Sequence, residues 1–168
     1  MADVKFMDVP SGTPANSDYV LVGNDTNGVR KATIEDLHKL VTNDFKFTAW
    51  QEVDWDTTKT KYKPAGAYVR YRYNKYRVQL SVNIVEATSK FANDGGTGVV
   101  NIAVLPEPAR FISYSGVSSG EQIAGAIPAM GTDNMGEYFI GGDGTVGVFA
   151  NYDGGRFFVE YSTDANFK

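Results

Sequence analysis

The stretch that decides the fold runs from Ala67 to Phe111; it begins AYVRYRYNKYRVQLSVNIV and, after a Gly-rich loop, ends VVNIAVLPEPARF. Apolar and polar side chains alternate strictly from Val78 to Ile84, which is typical of a strand with one buried face. Asn74 and Lys75 are turn residues, and a two-residue loop there predicts a hairpin. The predicted pairs all join apolar side chains: Tyr71 with Val78, Val69 with Leu80, and Ala67 with Val82. The opposite face then carries rings and guanidinium groups, from Tyr68, Arg70, Arg72, Arg77 and Gln79.

Short apolar runs separated by turns continue to the end of the chain. Val99 to Leu105 predicts a strand that ends at Pro106 and Pro108, because proline cannot donate to a sheet ladder. Further runs predict strands at Phe111 to Val117, Glu121 to Ala129, Glu137 to Ile140, Thr145 to Ala150 and Arg156 to Tyr161. Closely spaced short strands with Gly turns predict a mainly β fold, an antiparallel β-sandwich. The segment ATSKFANDGGTG at 87–98 is read as a plain turn, because it lacks the pattern of a phosphate or calcium loop.

Three motifs resemble those of the trimeric head domains of phage tail-tip and receptor-binding proteins. They are YRYNKYRVQL at 71–80, LPEPARF at 105–111 and IGGDGTVGV at 140–148, in the order that the family has them. Lys75 stands where the family usually has Gly, and Phe111 stands where its corner usually has Pro. The resemblance implies a jelly-roll-like sandwich, assembly as a homotrimer, and a place in a virion.

The first 45 residues predict a small ββα unit. DYVLVG at 18–23 and VRKA at 29–32 are strands around an Asn27-Gly28 turn, and Thr33 with Asp36 begins a helix at 33–42 that Asn43 and Asp44 end. Its apolar stripe consists of Ile34, Leu37, Leu40 and Val41. So small a unit buries too little surface to stand alone, so the stripe meets another copy or another protein, or the helix packs on its own head. The segment resembles phage attachment segments, which implies virion attachment by 1–45 and a head at 46–168.

Composition excludes several classes of protein. The 168 residues are 42% hydrophobic, which excludes a disordered chain, and the net charge of -4 makes nucleic acid an unexpected partner. Of the 18 glycines, all but Gly12, Gly23, Gly28 and Gly66 follow position 94, which indicates tight turns in the C-terminal part. There is no cysteine, no signal-peptide pattern in residues 1–20 and no long apolar run. We therefore expect a soluble protein without disulfides or membrane contact, assembled into virions in the host cytoplasm.

Catalytic and metal-binding patterns are absent from the sequence. His38 is the single histidine, so Ser-His and metal-His arrangements lack their parts. The acids Asp133, Glu137, Asp143 and Asp153 show no spacing that selects a catalytic pair. We expect no enzyme activity, no cofactor and no metal. Trp50 and Trp55 are either sugar-stacking rings or core and trimer-axis residues.

The favoured function is recognition of a saccharide on the host surface by a tail or baseplate appendage. Saccharide sites combine planar polar groups with exposed rings on loops, and the late loops are richest in such groups. The predicted ligand-binding residues are Asp133, Asn134, Tyr138, Asn151, Tyr152, Asp153 and Arg156. The alternative role of Tyr138 and Tyr152 is to pack at the trimer interface. The alternative function is a capsid or baseplate decoration protein that binds only other virion proteins.

Overall fold

The structure is a computed structural model that describes residues 12–13, 15–24, 28–95, 98–111, 122–128, 136–149 and 154–162. The chain is mainly β, with antiparallel sheets, as predicted. It divides into two compact units, Met1–Phe45 and Lys46–Lys168.

The first unit is the predicted ββα arrangement. Strands β1 (Tyr19–Asn24) and β2 (Gly28–Thr33) form an antiparallel hairpin, and helix α1 (Ile34–Phe45) follows directly. The Thr33 hydroxyl accepts the N–H of Asp36 at 3.0 Å and donates to its carboxylate at 2.7 Å, so the predicted helix start is confirmed. The predicted end is wrong, because the helix continues to Phe45. Asn and Asp are weak helix formers rather than helix breakers. Asn27 lies outside the described residues.

The second unit contains two four-stranded sheets. The element bounds are β3 Gln51–Val53, β4 Tyr68–Tyr73, β5 Arg77–Ile84, α2 Thr88–Phe91, β6 Val99–Val104, a 3₁₀ turn Glu107–Ala109, β7 Gln122–Ile127, β8 Gly136–Gly141, β9 Thr145–Phe149 and β10 Gly155–Ser162. The strand orders are β10-β5-β4-β3 and β6-β9-β8-β7. Strand β3 and helix α2 are additions to the predicted elements, and the predicted strand at Phe111 to Val117 lies almost wholly outside the described residues.

Both sheets contribute to one hydrophobic core. The first sheet supplies Leu80 and Val82, and the second supplies Ile140 and Val148, all fully buried. Tyr138 joins the two layers, because its ring stacks on the Phe157 ring at 4.2 Å between centroids. The arrangement is compatible with the predicted β-sandwich; the jelly-roll-like connectivity stays a prediction.

The central hairpin forms with the predicted faces but a different register. Its pairs are Tyr73 with Val78, Tyr71 with Leu80, and Val69 with Val82, each shifted by two residues from the prediction. The reason is Asn74, whose side-chain oxygen accepts the N–H groups of Tyr76 and Arg77 at 2.8 Å each and so places the turn one residue later. Because a shift of two preserves the alternation, the same side chains remain buried.

The late strands do not form a single meander. Strands β7, β8 and β9 are neighbours in one sheet, as their Gly turns suggest. Strand β10 leaves that sheet and pairs with β5 along its whole length, from Gly155 with Ile84 to Ser162 with Arg77. This pairing brings Arg156 next to Asn83 of the central hairpin, which lies 73 residues earlier in the chain.

Candidate functional site

Two of the seven predicted ligand-binding residues, Tyr138 and Arg156, belong to the described part of the chain. The other five, Asp133, Asn134, Asn151, Tyr152 and Asp153, lie outside it. Tyr138 is half-buried on the inner side of β8, against Phe157 and over Gly125, where an added Cβ would lie 2.7 Å from its ring. Arg156 precedes Phe157 on β10 and points to the opposite face. The two residues therefore do not share a surface.

The strand ends that flank the two predicted loops do lie together. Tyr138 pairs with Val148, so the start of β8 lies beside the end of β9. The start of β10 reaches the end of β7, since a Cβ added to Gly155 would lie 2.6 Å from the Ile127 methyl group. The turn between β8 and β9 is at the other end, as strand parity requires.

A cleft of about 550 Å³ opens in the second unit, along the edge strands β3 and β6. Its walls carry acids, hydroxyls and a guanidinium group, on Asp54, Asp56, Thr58 and Arg110, and the buried rings of Trp55 and Tyr71 lie behind them. The polar groups suit the hydroxyls of a saccharide. Neither His nor Cys lines the cleft.

Local structure fixes the polar groups of this cleft. The Asp56 carboxylate accepts the hydroxyl of Thr58 and its N–H, the latter at 2.9 Å, and the hydroxyl contact is the main cause that holds the pKa of Asp56 below its usual value. Arg110 donates from Nε to the Leu105 carbonyl at 2.9 Å. The Asp54 side chain is exposed and makes no hydrogen bond to another described residue. Asp54 is therefore the acid best placed to meet a ligand.

The walls of the cleft settle the role of one tryptophan. Trp55 is buried, packs edge-on against Phe91 and donates its indole N–H to the Thr60 hydroxyl at 2.8 Å, so it is a core residue. Trp50 is 41% exposed, and its ring lies under the Arg72 guanidinium at 4.6 Å. Trp50 thus remains available as a surface ring.

The outward face of the β10-β5-β4-β3 sheet combines rings, amides and charges. We call it the arginine face and define it by its outward residues Trp50, Glu52, Tyr68, Arg70, Arg72, Arg77, Gln79, Ser81, Asn83, Arg156, Phe158 and Glu160. Arg72 also lies over the Phe47 ring at 5.1 Å, and Arg70 lies over the Tyr68 ring at 4.4 Å. The face therefore has the predicted mixture of rings and guanidinium groups.

Two glutamates of the arginine face are ion-paired. Glu52 accepts from Lys63 at 2.7 Å, which is the main cause that lowers its pKa, and it also contacts Arg70. Glu160 accepts from Gln79 and Arg77 at 2.6 Å each, and these bonds lower its pKa in that order of size, with Arg72 a smaller contributor. Both oxygens of Glu160 are thus occupied.

The helix stripe of the first unit is mostly open. Ile34 and Leu37 are half-buried, whereas Leu40 and Val41 are 66% and 56% exposed. Among the described side chains of this unit none is buried. The described residues of this unit therefore give the apolar stripe little cover.

No protein-family model matches the chain, and no curated protein matches it either. Within the described ranges, no three His, Asp or Glu side chains are grouped so that they could hold a metal ion. Over the same ranges, α1 and α2 are both too short and too polar to cross a membrane.

Proposed function

We propose that the protein is a phage virion appendage whose second unit binds a saccharide on the host cell surface. The observation that carries the proposal is the edge cleft, where the free carboxylate of Asp54, the guanidinium of Arg110 and the hydroxyl of Thr58 line one concave surface. Planar charged groups hydrogen-bond vicinal sugar hydroxyls. The motif resemblance at 71–80, 105–111 and 140–148 supports the phage assignment.

The first unit is the proposed attachment segment. Tyr19, Leu21 and Val29 on the hairpin are each about two-thirds exposed or more, like Leu40 on the helix. A unit of this size without a buried side chain in its described part gains its stability from a partner. We assign that role to other virion proteins and to further copies in a homotrimer.

The exposed apolar side chains also favour the alternative function, a capsid or baseplate decoration protein. The second unit exposes Val99 and Phe149 on the outward side of its other sheet, at 44% and 45%. Such residues suit protein contacts rather than sugars. A decoration protein would bind virions through both units and would not bind host cells.

Adsorption to host cells tests the cleft. Asp54→Asn removes the exposed carboxylate. Adsorption should weaken about tenfold, because that is the loss expected when one charge-assisted hydrogen bond is removed. The matched control is Glu137→Gln, which removes an exposed carboxylate from the other sheet and should leave adsorption unchanged. Equal adsorption by both variants and the unaltered protein would exclude the cleft as the receptor site.

Deletion of residues 1–44 tests the attachment role. We expect the remaining chain to stay folded and to adsorb to host cells, but to lose binding to virions that lack this protein. Binding only to virions by the full chain, without host adsorption, would favour the decoration function. An unfolded truncated chain would show that the first unit belongs to the fold of the second.

A further inference from the structure

Two arginines of the arginine face are held in the same way from opposite sides of β5. Arg72 on β4 donates from Nε to the side-chain oxygen of Gln79 at 2.7 Å. Arg156 on β10 donates from Nε to the side-chain oxygen of Asn83 at 2.6 Å. Gln79 and Asn83 lie four residues apart on β5, which separates the two anchoring positions by about 13 Å along the strand.

Both amide side chains are themselves oriented by the fold. The Gln79 amide donates to Glu160 at 2.6 Å, and the buried Asn83 amide donates to the Gly66 carbonyl at 2.9 Å. Each amide oxygen is thereby turned towards its arginine. Because a carboxamide is neutral, it fixes the guanidinium group without cancelling its charge.

The remaining arginines of the face have carboxylate partners. These pairs are Arg70 with Glu52 at 3.2 Å and Arg77 with Glu160 at 2.6 Å. By contrast, the terminal nitrogens of Arg72 and Arg156 donate to none of the described residues. A guanidinium group with its Nε fixed and its terminal N–H groups open is pre-organised for an external anion.

Exposed rings lie beside both cations. Trp50 stacks with Arg72, and Phe158, which is 57% exposed, follows Arg156 two residues later on the same face of β10. Basic residues outnumber acidic ones on the arginine face, although the whole chain has 20 acids against 16 basic residues. The face therefore concentrates positive charge next to apolar rings.

We propose that the arginine face binds an acidic polysaccharide, with Arg72 and Arg156 each engaging a carboxylate of the polymer and Trp50 and Phe158 contacting sugar rings. The proposal rests on the proposed function only in taking a saccharide as the ligand; its two arginines and two rings are not among the residues that line the cleft. A single-stranded nucleic acid is less suited, because its dense phosphates would meet Glu52 and Glu160.

The test measures binding of the full chain to polygalacturonate and to the same polymer after full methyl esterification, by isothermal titration calorimetry. We expect binding of the acidic polymer that weakens with added salt, and no binding of the neutral one. Arg72→Gln together with Arg156→Gln should weaken binding at least about tenfold. The control Lys90→Gln removes one exposed cation outside the arginine face. It should change the affinity for the acidic polymer less than about twofold.

Several results would overturn the proposal. These are equal affinity for the two polymers, no binding of the acidic one, unaltered affinity in the double variant, and tighter binding of poly(U) than of polygalacturonate. Arg156→Gln alone changes an exposed strand residue, so it provides a folded variant if the double one unfolds. Host adsorption that is lost in Asp54→Asn while polygalacturonate is not bound would leave the proposed function intact and refute this inference alone.

Discussion

A buried hydroxyl group illustrates what single residues contribute to this fold. The Tyr161 hydroxyl donates to the Ala109 carbonyl at 2.7 Å in the core, whereas the Tyr62 hydroxyl donates to Glu86 at 2.7 Å at the surface. Tyr161→Phe should lower the free energy of unfolding by about 1–2 kcal/mol, because it leaves a buried carbonyl unpaired. Tyr62→Phe should change it by less than about 0.5 kcal/mol, since water replaces the lost bond. Urea denaturation at one protein concentration measures both, and equal effects would contradict the burial argument.

The raised pKa of Tyr161 predicts how the stability of the fold changes at alkaline pH. Burial raises the pKa of Tyr161 well above its ordinary value, while in the unfolded chain it ionises near pH 10. Above that pH the unfolded chain gives up a proton that the folded chain keeps, so stability falls as pH rises. The advantage of the unaltered protein over Tyr161→Phe should therefore shrink between pH 8 and pH 11. A constant difference over this range would show that Tyr161 ionises equally in both states.

The central hairpin depends on one turn residue. Asn74→Ala removes the oxygen that accepts two backbone N–H groups and should lower the free energy of unfolding by about 1–2 kcal/mol. Asn74→Asp keeps that acceptor and should recover at least about half of the loss. The measurement is again urea denaturation; equal loss in both variants would show that the turn is held by other contacts.

The central hairpin also shows which features of the fold can be predicted from the sequence. Alternation predicted which face of β5 is buried, because it depends only on local period, and the error of two residues in register left that face unchanged. The pairing of β10 with β5 was not predictable in this way, since it joins segments far apart in the chain. Arg156 was selected as a polar loop residue, but its partner Asn83 lies 73 residues away. The edge cleft was missed for the same reason, because Asp54 and Arg110 come from separate segments.

On the scale of the whole molecule, the two units present different kinds of surface. The second unit presents polar groups in its cleft and cations on the arginine face. The first unit presents apolar side chains on both its hairpin and its helix. We propose that sugar recognition and protein attachment belong to separate units.

At the scale of the whole chain, we predict assembly into a homotrimer. An unsupported helix stripe and exposed apolar residues such as Leu21 should be covered by contacts between copies, and the resembling heads are threefold. Sedimentation velocity at micromolar concentration should give the mass of a trimer. Leu40→Lys together with Val41→Lys places charges on the stripe and should shift the mass towards the monomer, while Lys39→Gln on the same helix should not. A trimer that persists in the double variant would place the contacts in the second unit, and a monomeric unaltered chain would refute the homotrimer and leave the stripe to another virion protein.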